Sequence, residues 1–267
     1  MELAALQFNL HWEDRAANFE AVRTALANAA PALAPGSLLV LPELFATGFS
    51  MNVKSAADTD AAETEVFLRG LAMAGRITVL GGVLRKLPDG SGANEAVAFG
   101  PDGALLCRYR KMFPFSPSGE KAAFTAGTEI RTFPWNGFTV APFICYDLRF
   151  PEAFRAAAAA GADLICVMAN WPDRRHAHWT TLLRARAIEN QAFVLGVNRS
   201  GTDPFFHYDG GSMILDPQGA VLSEAAPEPA AGSPPPQLIR AAISPETTAS
   251  WRAQFPALSD RRPDLFP

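Results

Sequence analysis

The sequence predicts a layered α/β fold, and three observations carry that prediction. Short apolar runs such as Leu38-Leu39-Val40-Leu41 and Leu164-Ile165-Cys166-Val167-Met168-Ala169 have the composition of strands covered on both faces. Longer segments with helical spacing stand between such runs. Two Pro-Asp-Gly turns and one Asn-Gly turn join neighbouring strands directly, so hairpins sit beside crossover connections.

The 267 residues, 49% of them apolar, are enough for one domain spanning 1–267 with a sizeable core. A net charge of −4 without any long Lys/Arg block argues against nucleic acid and leaves a small molecule as the expected partner. Cys107, Cys145 and Cys166 are odd in number and lack ligand spacing, so neither a disulfide framework nor a metal site is expected, and no cofactor is called for. A reducing cytoplasm fits. Met1 leads straight into an apolar strand, and no run reaches the ~20 residues of a membrane span.

Leu3 to Leu10 reads as the first strand and Asn18 to Ala30 as a helix, stopped by Pro31 and Pro35-Gly36. The run Leu38 to Leu41 then ends at Pro42-Glu43. Glu43 is a carboxylate at a strand terminus among Leu41, Leu44 and Phe45, where desolvation would raise its proton affinity and suit it to act as a base. A solvated loop glutamate is the plainer reading. Thr64 to Gly75 is helical; Thr78 to Arg85, Ala93 to Phe99 and Ala104 to Arg110 form a strand meander that delivers Lys111 to a strand end. Met112 to Pro117 cannot continue a central strand. Taken alone, Lys111 is an exposed lysine and Glu120 an ordinary loop residue.

Ile130 to Trp135 and Phe138 to Ile144 flank Asn136-Gly137 as a hairpin, and its second strand feeds Cys145. Beyond Cys145-Tyr146-Asp147-Leu148-Arg149-Phe150, Pro151 opens an alanine-rich helix ended by Gly161. A thiol between strand and helix meets backbone N–H groups and a helix dipole, which favour a thiolate and an oxyanion. A lone buried cysteine is nevertheless usually core, the role given to Cys166. Asn170 to His176 reads as a polar loop, Trp179 to Gln191 as a helix with structural ion pairs among Arg184, Arg186 and Glu189, and Phe193 to Asn198 as a strand. Gly210 to Gly219 forms a strand and turn, Val221 to Glu224 pairs back, and 225–236 is a surface loop or linker. Leu238 to Ile243 is the last strand, and 245–267 supplies a helix and tail that could meet a second subunit.

Glu43, Lys111 and Cys145 each follow an apolar strand, and in a layered α/β fold such strand ends share one rim. In the order Pro42-Glu43, Arg110-Lys111, then Ile144-Cys145-Tyr146-Asp147 with Arg149-Phe150-Pro151, the chain resembles the nitrilase (carbon–nitrogen hydrolase) superfamily from Gln7 to Gly219. The resemblance implies a four-layer α-β-β-α sandwich, a homodimer formed through a helical face, and a catalytic triad. By position Glu43 would be the base, Lys111 the cationic stabiliser, Cys145 the nucleophile and Glu120 the second glutamate that orients the lysine. Lys111 and the Tyr146 N–H would hold the oxyanion.

The run Pro42 to Phe49, Ala169-Asn170-Trp171-Pro172 and Ala185 to Gln191 look most like bacterial omega-amidases, which hydrolyse the terminal amide of 2-oxoglutaramate and 2-oxosuccinamate. A dianionic product implies a cationic pocket, with Arg149, Arg174 and Arg175 as candidates. Arg149 could instead pair with Asp147 or Glu152, and Arg174-Arg175 could be a solvated loop. Trp171 and Phe115 would wall the pocket or simply fill space. The runner-up is another amidase or carbamoylase of the superfamily, acting on deaminated glutathione or an N-carbamoyl amino acid. A non-catalytic binding module would require a broken triad. Phe113 and Pro114 depart from the histidine and leucine that many members carry after the lysine, which leaves the shape of the lysine loop open.

Overall fold

The computed structural model describes residues 1–58, 62–226, 235–262 and 264–265. Two six-stranded sheets form its centre. The first runs, in spatial order, Gln237–Ala242, Glu2–Gln7, Leu38–Val40, Thr78–Lys86, Gly92–Phe99 and Leu105–Arg110. Its middle three strands are parallel, and the last three form the antiparallel meander that the Pro-Asp-Gly turns predict. The second sheet runs Val221–Glu224, Met213–Leu215, Phe193–Asn198, Leu164–Ala169, Phe138–Ile144 and Phe133–Trp135, with three parallel strands between antiparallel edges.

Strand alternation assigns the layers. Leu3, Ala5, Leu38, Val40 and Leu80 join Val140, Ala141, Ile165 and Val167 in one buried cluster. The intervening Ala4, Leu6, Leu39, Leu41 and Val79 join Val22, Phe67 and Leu68, from the helices Arg15–Ala27 and Glu63–Gly75, in another. In the first sheet, residues one apart on a strand thus face opposite layers. The helices Pro151–Ala159 and His176–Asn190 cover the outer face of the second sheet through Phe154, Ala157, Leu183 and Ala187. The result is the α-β-β-α sandwich.

Several boundaries move. The first helix covers Arg15–Ala27 rather than starting at Asn18, because Asp14 caps it by accepting the Ala17 N–H. The helix expected from Trp179 begins at His176, after a 3₁₀ turn at Asp173–Arg175. Glu120 opens a short helix, Glu120–Ala123, in a stretch that reads as irregular. Ser200–Thr202 and His207–Asp209 form a small hairpin for which the sequence has no clear alternation. Of the expected loop at 225–236, residues 227–234 lie outside the described residues, as do 263, 266 and 267 of the tail. The helix Pro245–Gln254 is tied to the body by Arg252, which donates to the carbonyls of Ala162, Asn190 and Gln191.

Candidate active site

Glu43, Lys111, Glu120 and Cys145 come together although they are spread over about a hundred residues of chain. Leu38–Val40, Leu105–Arg110 and Phe138–Ile144 all end on one rim. The Lys111 Nζ donates to Glu43 Oε1 at 2.9 Å and to Glu120 Oε1 and Oε2 at 3.0 and 2.8 Å. All three side chains are buried, Lys111 with 1% exposure and both glutamates with none. Such a cation survives because it is paired: burial opposes its charge, yet Glu120 and then Glu43 outweigh that and raise its pKa.

Two asparagines complete the carboxylate shell. Asn94, on Gly92–Phe99, donates to Glu43 Oε1 at 2.7 Å and Glu120 Oε1 at 2.9 Å. At the end of Leu164–Ala169, the Asn170 N–H reaches Glu43 Oε2 at 2.8 Å and its side chain reaches the Glu43 carbonyl at 2.7 Å. Asn94 was legible only as a strand residue, although a polar Asn-Glu pair in an otherwise apolar strand is itself a signal.

Cys145 sits at the first position of a 3₁₀ turn, Cys145–Arg149, with φ +46°, a left-handed conformation rare for any residue but glycine. Its Sγ lies 3.8 Å from the Asn170 carbonyl oxygen. The Tyr146 N–H belongs to the first turn, where backbone donors lack partners within the helix. Asp147 holds this turn: its carboxylate accepts from the Ile144 N–H at 2.9 Å, the Tyr109 hydroxyl at 2.7 Å and the Phe113 N–H at 3.0 Å. Asp147 is therefore taken, and Arg149 does not use it.

The electrostatics of Cys145 run against one expectation. The strand-to-helix position predicts a stabilised thiolate, but burial raises the Cys145 pKa well above the ordinary value, Glu43 raises it further, and Lys111 only partly opposes them. Two carboxylates, Glu43 and Glu120, act on the sulfur, and a short turn of five residues has too small a dipole to offset desolvation.

A narrow cavity opens onto Cys145, walled by Phe49, Phe115, Tyr146, Arg149, Trp171, Arg175, Phe206 and Tyr208. Phe115 and Trp171 thus line it, and so do Arg149 and Arg175. Arg149 lies 4.8 Å over the Trp171 ring and 3.2 Å from His178 Nδ1. Arg175 lies 5.4 Å over the Phe115 ring. Arg174, by contrast, is exposed and stacks on Phe206 outside the cavity, 4.6 Å from the ring, because the 3₁₀ turn sends successive side chains in different directions. Phe49, Phe206 and Tyr208 were not singled out in the sequence; they come from a loop and a hairpin that tertiary folding brings to the mouth. Phe113 stacks on Phe150 at 3.9 Å, so the departure after Lys111 is accommodated as an aromatic pair bracing the two strand-end turns. Among the described residues no group of histidine, cysteine, aspartate and glutamate is arranged to hold a metal ion.

The chain is 40% identical over 263 residues to the omega-amidase YafV of Yersinia enterocolitica, covering 97% of this chain and 96% of that one. It is 34% identical over 230 residues to a 2-oxoglutaramate amidase of Bacillus subtilis, covering 86% of each. A solved structure of a CN-hydrolase superfamily protein from Xanthomonas campestris, with an arsenic adduct in its active site, matches with a TM-score of 0.88 and 32% identity over 98% of this chain and 97% of that one. Residues 2–253 match the carbon-nitrogen hydrolase family, and with that match, the sandwich and the shared rim, the chain belongs to this family.

Proposed function

We propose that the protein is an amidase that hydrolyses the terminal amide of 2-oxo dicarboxylic acid monoamides, 2-oxoglutaramate and 2-oxosuccinamate, to the 2-oxo acid and ammonia. Relatives named omega-amidase and 2-oxoglutaramate amidase support the substrate class. The observation that carries it is a cavity lined by two arginines that opens onto Cys145. Arg149 and Arg175 line the cavity without a carboxylate partner among the described residues. Burial, then the repulsion of Arg174 and Arg149, lowers the Arg175 pKa, so an anion in the cavity relieves an existing strain.

In this reading Glu43 takes the Cys145 proton as sulfur attacks the amide carbon, in keeping with a thiol whose pKa burial and Glu43 raise. The tetrahedral oxyanion is held by Lys111 and the Tyr146 N–H. Glu43 returns the proton to the nitrogen, the C–N bond breaks, ammonia leaves, and a thioester remains. Water, deprotonated by Glu43, attacks the thioester, and the sulfur departs as the acid is released. Glu120 keeps the ammonium in place, and Arg149 and Arg175 hold the distal carboxylate while Phe115 and Trp171 exclude water. Arg174 acts at the rim through its charge.

The reading includes a homodimer in the cytoplasm. Half-exposed Ile188 and Phe255 on the helical side support a partner surface there, and three free cysteines fit a reducing compartment. No helix among the described residues is long and apolar enough to cross a membrane. Intact-mass analysis after brief exposure to 2-oxoglutaramate tests the chemistry: an acyl adduct is expected, and its persistence in Cys145→Ala would sink the proposal.

A further inference from the structure

We infer that Asn94 is a positioning residue that frees one N–H of Lys111 for the oxyanion of the reacting carbonyl; this rests on the amidase reading above. The basis is a count of donors. Glu43 Oε2 is satisfied by the Asn170 N–H and side-chain amide, and Glu120 Oε2 by the Phe115 N–H and Lys111. Each Oε1, besides its contact with Lys111, receives one hydrogen from the Asn94 amide nitrogen, at 2.7 Å to Glu43 and 2.9 Å to Glu120. Both partners are carboxylates that only accept, so the nitrogen end of the amide must face them.

Lys111 has three hydrogens to distribute. One meets Glu43 Oε1 and one meets Glu120, whose two oxygens lie 3.0 and 2.8 Å away. The two Glu120 oxygens belong to one carboxylate and share a single forked hydrogen, so the third is left over. Phe49, a cavity wall, lies 5.1 Å from Nζ, so the ammonium is close to the space that a substrate enters. Without Asn94 each Oε1 loses a donor in a buried site, and the ammonium is the nearest group able to rotate and replace it. The rigid planar fork of a neutral amide also fixes the gap between the two carboxylates without changing the net charge. A merely structural asparagine would do neither.

The test compares wild type with Asn94→Ala and the near-isosteric Asn94→Asp, which offers at most one O–H to the two carboxylates. Steady-state ammonia release from 2-oxoglutaramate and the melting temperature are measured for all three, with intact-mass detection of the acyl adduct. A roughly 100-fold or greater loss in kcat with KM within about twofold, as for removal of an oxyanion donor, supports the inference. Should Asn94→Ala fail to fold, the aspartate variant decides. Unchanged kcat in a folded variant, or a loss confined to KM, overturns it. Wild-type protein that acylates while the variants match it sinks the inference alone; wild type that never acylates sinks the amidase reading and the inference with it.

Discussion

Lys111 lies between Glu120 and Glu43, with Nζ 2.8 Å from one carboxylate and 2.9 Å from the other, and all three groups are shut off from solvent. The cluster has two carboxyl groups to one amine, and Asn94 and Asn170 add neutral donors to it.

Lys111→Met removes the cation and leaves two buried carboxylates facing each other. The loss should be about 3–5 kcal/mol, a fall in melting temperature of roughly 10 °C, with no detectable turnover. Calorimetry and ammonia release check this. A variant as stable as wild type would show that the cluster is not held by its charge.

Arg175→Ala should raise KM for 2-oxoglutaramate and lower kcat/KM by about 10- to 100-fold, the size of a lost hydrogen bond to a charged group, about 1.5–3 kcal/mol. Turnover of a neutral amide such as propionamide should barely change. Equal losses on both substrates would move Arg175 out of the carboxylate role.

Alkylation of Cys145 by iodoacetamide should be slow at neutral pH and still rising beyond pH 9, because burial and then Glu43 raise the thiol pKa well above its ordinary value. Mass spectrometry of the modified peptide against pH measures it. A plateau below pH 8 would mean a thiolate at rest and remove the need for a base in the first step.

Asp147 makes folding stability pH-dependent. Burial pushes its carboxyl up to about 7 from the ordinary 3.8, although Lys111 and three donated hydrogen bonds oppose the shift. Between those values the folded chain keeps a proton that the unfolded chain has lost, so this group's contribution falls as pH rises from about 4 to about 7. Asp147→Asn should flatten that slope in denaturation curves. It should also cost about 1–3 kcal/mol, because the new amide nitrogen must face a donor. A slope that survives the substitution would assign the effect to another group.

Gly82→Ala tests how tightly Glu43 is seated. A methyl group there would lie 2.3 Å from the Leu44 nitrogen and 2.8 Å from the Glu43 Cα, so the backbone carrying the carboxylate must shift. About 1–3 kcal/mol of stability and at least tenfold of kcat should be lost. Unchanged kcat would show that the loop gives way harmlessly.

The sequence by itself determined the strands and what each delivers to its end. Phe138–Ile144, Leu164–Ala169 and Phe193–Asn198 are legible to the residue because a doubly covered strand is a bare apolar run, bounded where polarity begins. Glu43, Lys111 and Cys145 were visible for the same reason, as polar residues at the edge of such runs. Asn94, Asp147 and the mouth formed by Phe49, Phe206 and Tyr208 were decided by tertiary structure, as was the exclusion of Arg174 from the cavity. Their partners lie on other strands or loops, often far along the chain, and neither hydrogen bonding nor burial between such segments leaves a periodic mark in either one. The upward shift of the Cys145 pKa belongs to the same class, since desolvation is a property of everything packed around an atom.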